Sequence, residues 1–108
     1  MQINILIEKN KEGQFGRCGF QIKNKNQKHL ECYIPKVQSK ATKEQILNMH
    51  SAMKAIQYCR INLKRLKYVK FCFTTNLPDT SIKEWQVMDN YINKIATQIG
   101  CRVEYTKA

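Results

Sequence analysis

The chain has 108 residues, of which 43% are hydrophobic, so it fits a single folded domain spanning residues 1–108 and excludes a fully disordered chain. Its formal net charge is +11, and no apolar run approaches the roughly 20 residues that a membrane-spanning helix needs, so no membrane partner is expected. This charge favours a polyanionic partner, most commonly nucleic acid, over a surface that serves only solubility or that recognises an acidic protein.

The first third of the chain predicts three antiparallel strands. Isoleucines alternate with other residues over residues 3–7, which is typical of a strand with one apolar face. After a polar turn, residues 14–22 predict a second strand that forms a hairpin with the first. Residues 23–28 are polar and predict another turn, and residues 29–34 predict a short third strand.

The remaining residues predict two helices, each followed by a strand. Thr42 and Gln45 fit a capping box at the start of a helix over residues 43–64. Residues 68–75 are apolar on both faces, which predicts a central strand covered on both sides. Asp79, or Ser81 with Glu84, would cap a second helix that Gly100 ends, and residues 101–105 alternate as a last strand.

The fold class that follows is α/β (α+β), with the element order βββ-α-β-α-β. Three strands joined by short turns, followed by strand–helix–strand units, predict a mixed five-stranded sheet with two helices packed on it. The glycines Gly13, Gly16 and Gly19 lie in the first hairpin and not between a strand and a helix, so they predict turn or bulge positions or close backbone approach.

Five cysteines indicate the compartment. Their number is odd, no two form a C-x-x-C pair, and the first residues lack the pattern of a secretory signal, so we expect reduced thiols in the cytoplasm, or in the nucleus of a eukaryote. Phe71, Phe73 and Trp85 fall on apolar stripes and are predicted to be core residues. Tyr33, Tyr58, Tyr68 and Tyr105 are candidates for stacking on nucleic-acid bases.

Basic residues are concentrated in three clusters, which are the candidate phosphate-binding residues. Residues 46–77 contain no acidic residue at all, so the largest cluster would lie around the end of the first helix and the start of the central strand. The clusters are Lys54, Arg60, Lys64, Arg65, Lys67 and Lys70; Lys23, Lys25 and Lys28 in the second turn; and Lys36, Lys40 and Lys43 before and at the first helix.

Two carboxylates occupy positions of interest: Glu8 at the end of the first strand and Glu44 in the first turn of the long helix. The positions of these carboxylates, the segment 13–22 (GQFGRCGFQI) and the order of the elements together resemble the ribonuclease H fold. The resemblance implies a first strand parallel to the fourth, and metal-binding carboxylates of which Glu8 and Glu44 would be vestiges. The family's aspartate after the fourth strand is replaced by the segment Thr74, Thr75 and Asn76, and its final acidic helix has no counterpart.

The leading hypothesis is therefore a non-catalytic module with a ribonuclease H-like core that binds RNA, an RNA–DNA hybrid or DNA, and needs no cofactor. The first alternative is a small protein-interaction or inhibitor module from a mobile element or virus, with an acidic protein as a partner. The second alternative is a residual nuclease that uses Mg²⁺ held by Glu8 and Glu44.

Overall fold

Seven elements make up the part of the chain that this computed structural model describes, namely residues 1–13, 15–33, 43–63, 65–75 and 77–107. Their order confirms the predicted βββ-α-β-α-β arrangement. The elements are β1 (Gln2–Lys9), β2 (Phe15–Ile22), β3 (His29–Cys32), α1 (Lys43–Asn62), β4 (Tyr68–Phe73), α2 (Lys83–Gln98) and β5 (Arg102–Lys107).

The five strands form one open, mixed sheet in the order β3-β2-β1-β4-β5. β2 pairs antiparallel with both β1 and β3, whereas β4 pairs parallel with both β1 and β5. Ile5 lies opposite Phe20 on one side and Phe73 on the other, so the apolar residues of neighbouring strands share one face of the sheet.

Both helices pack against that apolar face and against each other. Met49 and Ile56 of α1, together with Trp85 and Ile95 of α2, belong to the same buried cluster as Phe71 of β4. The expectation that β4 is covered on both sides is wrong for the described residues, because both helices lie on one side. The apolar run still has a physical reason, since Val69, Phe71 and Phe73 face the helices and Cys72 is buried on the second face.

Glycines fix three positions of the fold. Gly13 closes the turn after β1 at φ 78°, and Gly100 ends α2 at φ 69°, as predicted; this left-handed region favours glycine. Gly19 marks a close approach of backbones, because a Cβ there would lie 1.8 Å from the carbonyl oxygen of His29. The β2–β3 pairing therefore depends on the absence of a side chain at Gly19.

The start of α2 differs from its prediction. The helix begins after Ile82, which provides no side-chain cap, and Asp79 instead accepts hydrogen bonds from the backbone N–H and hydroxyl of Ser81. The predicted ends at Gln14, Ile34, Thr42 and Lys64 fall outside the described residues, and β4 ends at Phe73 and not at residue 75. Within the described residues, no helix has the length and apolar character to cross a membrane.

Candidate nucleic-acid interface

Two of the three predicted basic clusters meet at one end of the sheet. Parallel pairing places the starts of β1, β4 and β5 side by side, and the antiparallel hairpin places the end of β2 next to the start of β1. Backbone hydrogen bonds join these chain segments: the N–H of Lys23 donates to the carbonyl of Gln2 at 3.0 Å, and the N–H of Arg102 donates to the carbonyl of Lys67 at 2.8 Å. The turn after β2 therefore lies on the same end as the connection from α1 to β4.

We call this surface the basic end. Its cations are all exposed, and the described residues 22–29, 59–63, 65–70 and 98–102, which surround them, contain no acidic residue. One carboxylate borders this surface: Glu104 accepts a hydrogen bond from Tyr68, over whose ring the Arg102 guanidinium lies. The other cations have no acidic residue within these segments, so the surface keeps a net positive charge. The basic end comprises Lys23, Lys25, Lys28, Arg60, Arg65, Lys67 and Arg102.

The helix dipoles offset only a small part of this positive charge. Both α1 and α2 end at the basic end, and each helix C-terminus carries about half a negative charge, so the two together offset about one cation. Arg60, in the last turn of α1, fits that role. The other cations of the basic end remain available for a polyanion.

The two connections that carry these cations have defined backbone conformations. Asn24 adopts φ 72°, and the N–H of Lys25 donates to the carbonyl of Ile22 at 3.0 Å, which makes the turn after β2 tight. The side-chain amide of Gln21 also donates to the carbonyl of Lys25 at 2.8 Å. Arg65 adopts φ 74°, a conformation that costs a residue other than glycine about 1 kcal/mol.

Arg102 was missed by sequence reasoning, although the sequence carried a signal for it. Arg102 is the second residue of the predicted last strand. A parallel pairing of that strand with the central strand would have placed Arg102 beside the start of the central strand, among the predicted basic residues. In the structure Arg102 lies opposite Tyr68, with its guanidinium carbon 5.1 Å from the centre of the tyrosine ring. The basic end thus gains a cation from a strand that none of the predicted clusters included.

The remaining predicted cations lie elsewhere. Lys70 is half-buried within β4 and lies opposite Glu104, and Lys54 is exposed in the middle of α1. Lys43 begins α1, so it lies at the opposite end of the sheet from the basic end. Lys36, Lys40 and Lys64 fall outside the described residues.

The opposite end of the sheet, which we call the far end, comprises the described residues 8–13, 15–17, 43–48, 74–75 and 77–84. It holds Glu8 and Glu44, the two carboxylates that the sequence analysis singled out. Glu8 lies opposite Arg17, with 3.9 Å between the charged atoms, and the alternation along β1 puts it on the sheet face that the helices leave. Glu44 lies in the first turn of α1, which packs on the other face. In the part of the chain that the structure describes, no group of three His, Cys, Asp or Glu residues is placed to hold a metal ion.

A neutral contact joins α1 to the end of β4 at the far end. Asn48, one turn after Glu44, is fully buried, and its amide donates to the hydroxyl of Thr75 at 2.8 Å. Among the described residues, none donates a hydrogen bond to the side-chain oxygen of Asn48. The ribonuclease H resemblance matches the family's helix carboxylate to Glu44, one turn before Asn48, and at the end of β4 the hydroxyl of Thr75 stands where the resemblance implies a carboxylate.

The other carboxylate of this end belongs to a turn. Hydrogen bonds from the hydroxyl and the N–H of Ser81 hold the pKa of Asp79 below its ordinary value. The carboxylate is therefore ionised at neutral pH and committed to its own turn. The charged residues within the segments of the far end balance in number: the cations are Lys9, Lys11, Arg17, Lys43 and Lys83, and the carboxylates are Glu8, Glu12, Glu44, Asp79 and Glu84.

The four candidate tyrosines are half-buried and have different roles. Tyr105 packs inside the core and donates to Asp89 at 2.6 Å, and burial raises the pKa of its hydroxyl. Tyr68 donates to Glu104, and Tyr33 stacks on His50 with ring centres 3.9 Å apart. Tyr58 lies on α1, two residues before Arg60.

No protein-family model, curated protein or solved structure matches this chain.

Proposed function

We propose that this chain is a non-catalytic module that binds nucleic acid through the basic end. The observation that carries the proposal is the convergence of the turn after β2 with the connection from α1 to β4, two basic segments that are distant in sequence. Neither segment alone carries more basic residues than a solvated turn or helix end commonly does. Together they form a continuous cationic surface suited to phosphates, with Glu104 at its border beside Tyr68.

The size of the basic end sets the expected footprint. β2 and β5 are separated by three strand spacings, or about 14 Å. That length equals about four nucleotides of a helical strand at a rise of roughly 3.4 Å each. Three or four phosphate contacts would give a plot of log affinity against log salt a slope of roughly −3.

We further propose that the core is ribonuclease H-like. Three antiparallel strands precede the first helix, and β4 runs parallel to β1, as that resemblance implies. The neutral contact between Asn48 and Thr75 supports a member without metal-dependent cleavage. All five cysteines are free thiols, which supports the expectation of a reducing compartment such as the cytoplasm.

The test compares two double charge reversals that change the net charge by the same amount. Lys25→Glu with Lys67→Glu alters the basic end, whereas Lys11→Glu with Lys83→Glu alters the far end, and all four side chains are exposed. We expect the basic-end variant to bind a short oligonucleotide at least about tenfold more weakly than the far-end variant, and its salt slope to shrink by about 1 to 2. Fluorescence anisotropy over a salt series measures both quantities.

Equal losses in the two variants would show that net charge alone attracts nucleic acid, and would contradict a site at the basic end. No binding by the native chain at low salt would overturn the proposed function itself. The protein-interaction alternative would then be favoured, with Val87, which is 60% exposed on α2, as a first candidate for the contact surface.

A further inference from the structure

A cleft of about 290 Å³ lies between the edge strand β3 and helix α1. This volume is at the lower limit of the range for small-molecule sites and is sufficient for one nucleotide. The cleft has an aromatic wall and one cation at its rim. Its lining includes Phe20, His29, Leu30, Glu31, Lys54 and Tyr58.

The aromatic wall is built from three rings in contact. The rings of Phe20 and His29 are stacked, with centres 4.6 Å apart and planes inclined by 10°, and the ring of Tyr58 lies 4.6 Å from His29. Phe20 is buried in the core at 3% exposure, so it fixes the other two rings, which remain partly exposed. A preorganised ring surface binds a flat partner with little loss of side-chain entropy.

Contacts between β3 and α1 fix the second side of the cleft. Glu31 is bonded to the imidazole of His50, which stacks on Tyr33 at 3.9 Å, so β3 is attached to α1 along its length. Lys54 is exposed and supplies a positive charge at the rim. An aromatic wall next to a cation is the combination that single-stranded nucleic-acid sites use for a base and its phosphate.

The cleft adjoins the basic end at one point of the chain. Lys28 directly precedes His29, whereas Arg60, two residues after Tyr58, lies on another side of α1. A strand whose phosphates lie on the basic end would therefore reach the aromatic wall within about one nucleotide's length. In a duplex the base faces are covered by their neighbours and the pairing edges are occupied, so only an unpaired base can enter.

We propose that this cleft binds one unpaired base of a nucleic-acid strand, stacked on His29 and Tyr58, and that the chain consequently prefers single strands to duplexes. The inference rests on the proposed function, because the basic end supplies the phosphate contacts. It adds to that function the substrate class and the site of the base. Lys54 contacts the phosphate next to the stacked base.

The experiment is a cycle of two changes, one in the protein and one in the ligand. Tyr58→Leu removes the ring but keeps an apolar side chain for the core, and an abasic residue in the middle of a short single strand removes the base but keeps the phosphates. We expect each change alone to weaken binding at least about fivefold, and the second change to add little once the first is made. Affinity for a duplex of the same sequence should be unaffected by Tyr58→Leu.

Two further measurements keep the test decisive if Tyr58→Leu lowers stability. The abasic comparison with the native chain needs no variant, and Lys54→Ala alters an exposed side chain outside the core, with an expected reduction of the salt slope by about 1. Salt-sensitive binding that ignores both the abasic residue and Tyr58→Leu would overturn the base cleft and leave the basic end standing. Failure of the native chain to bind any oligonucleotide at low salt would overturn the proposed function and the cleft together.

Discussion

The basic end and the far end of the sheet differ in how the same residue types are arranged. At the basic end the cations stand exposed without an acidic residue in the described segments around them, whereas at the far end carboxylates and cations alternate and pair, as in the contact of Glu8 with Arg17. The fold therefore brings seven exposed cations of the described residues to one end of the molecule. A polyanion that meets the protein would be attracted to one end and not evenly to its surface.

The difference between the ends also extends to conformation. Asp79 and Ser81 bond to each other, and Asn48 bonds to Thr75, so polar groups at the far end satisfy one another. At the basic end, Lys23, Lys25 and Arg102 form hydrogen bonds through their backbone N–H groups, and their charged side chains are exposed to solvent. Polar groups of the far end thus bond to one another, and the proposed function assigns contact with a partner to the basic end.

The largest effect that would disturb this comparison is expected at Gly19, which keeps β3 close to β2. A Cβ at this position would lie 1.8 Å from the carbonyl oxygen of His29 and 2.9 Å from the Cα of Leu30, and backbone atoms cannot give way without breaking strand pairing. We expect Gly19→Ala to lower the free energy of unfolding by about 3 kcal/mol, as measured by urea denaturation. Nucleic-acid affinity should fall as well, because Lys28 and the cleft lose their support.

Gly16→Ala is the matched control in the same strand. A Cβ at Gly16 meets no atom within 4 Å, so the change should be close to neutral, or stabilising by about 0.5 kcal/mol through the unfolded chain. Equal destabilisation by both changes would mean that β2 requires glycine for its own backbone and not for the approach of β3.

The sequence predicted the elements well because their signals are local. Alternating isoleucines in β1 and the helical spacing of Met49 and Ile56 report burial directly, and Gly100 marks the end of α2 through its own backbone. The site was predicted only in part, because the basic clusters were defined by residues that are close in sequence and not by residues that are close in space. Which clusters meet depends on strand order, a long-range property that residue patterns do not encode.

Two features of the site show this limit clearly. Arg102 joins the basic end only because β5 pairs parallel with β4, and His29 joins the aromatic wall only because β3 pairs with β2 beside Phe20. The cap predicted at Asp79 was wrong for a related reason. Its carboxylate bonds to Ser81 before the helix begins, so a correct local motif was placed in the wrong element.

A smaller effect is expected at Asn48, where the far end can be tested for a latent carboxylate site. Asn48→Asp would place a carboxylate at a fully buried position, at a cost of about 2 kcal/mol at neutral pH. Burial would raise the pKa of the new carboxyl, so the cost should shrink as the pH falls and the group is protonated. Urea denaturation at neutral and acidic pH measures this change.

Asn48→Leu provides the control, because it has a similar shape and removes the side-chain oxygen that has no partner among the described residues. It also removes the donor to Thr75, which is half-buried and can bond to water, so we expect a loss of about 1 kcal/mol that is the same at both pH values. We also expect Mg²⁺ to leave the stability of Asn48→Asp unchanged. Restoration of stability by Mg²⁺ would show that the new carboxylate completes a metal site with its neighbours, and would favour the residual-nuclease alternative.

The smallest expected effect concerns Cys32, which lies next to the far end of the sheet. It lies opposite Arg17 at the end of β3 and is exposed, whereas Cys18, Cys59, Cys72 and Cys101 are buried. Burial raises the pKa of the Cys59 thiol to about 12, so this thiol is protonated and unreactive in the folded protein at neutral pH. A thiol reagent should therefore modify one cysteine in the native state and five after unfolding.

Adding a short single strand should leave the rate at which Cys32 is modified unchanged. The proposed contacts end at His29 and Tyr58, and Cys32 lies three residues further along β3, about 10 Å from His29, with its side chain on the other face of the sheet. Thiol modification followed by mass spectrometry gives the rate with and without the oligonucleotide. Protection of Cys32 would mean that the bound strand continues along β3 to the far end, and the division of the molecule into a binding end and a stabilising end would no longer hold.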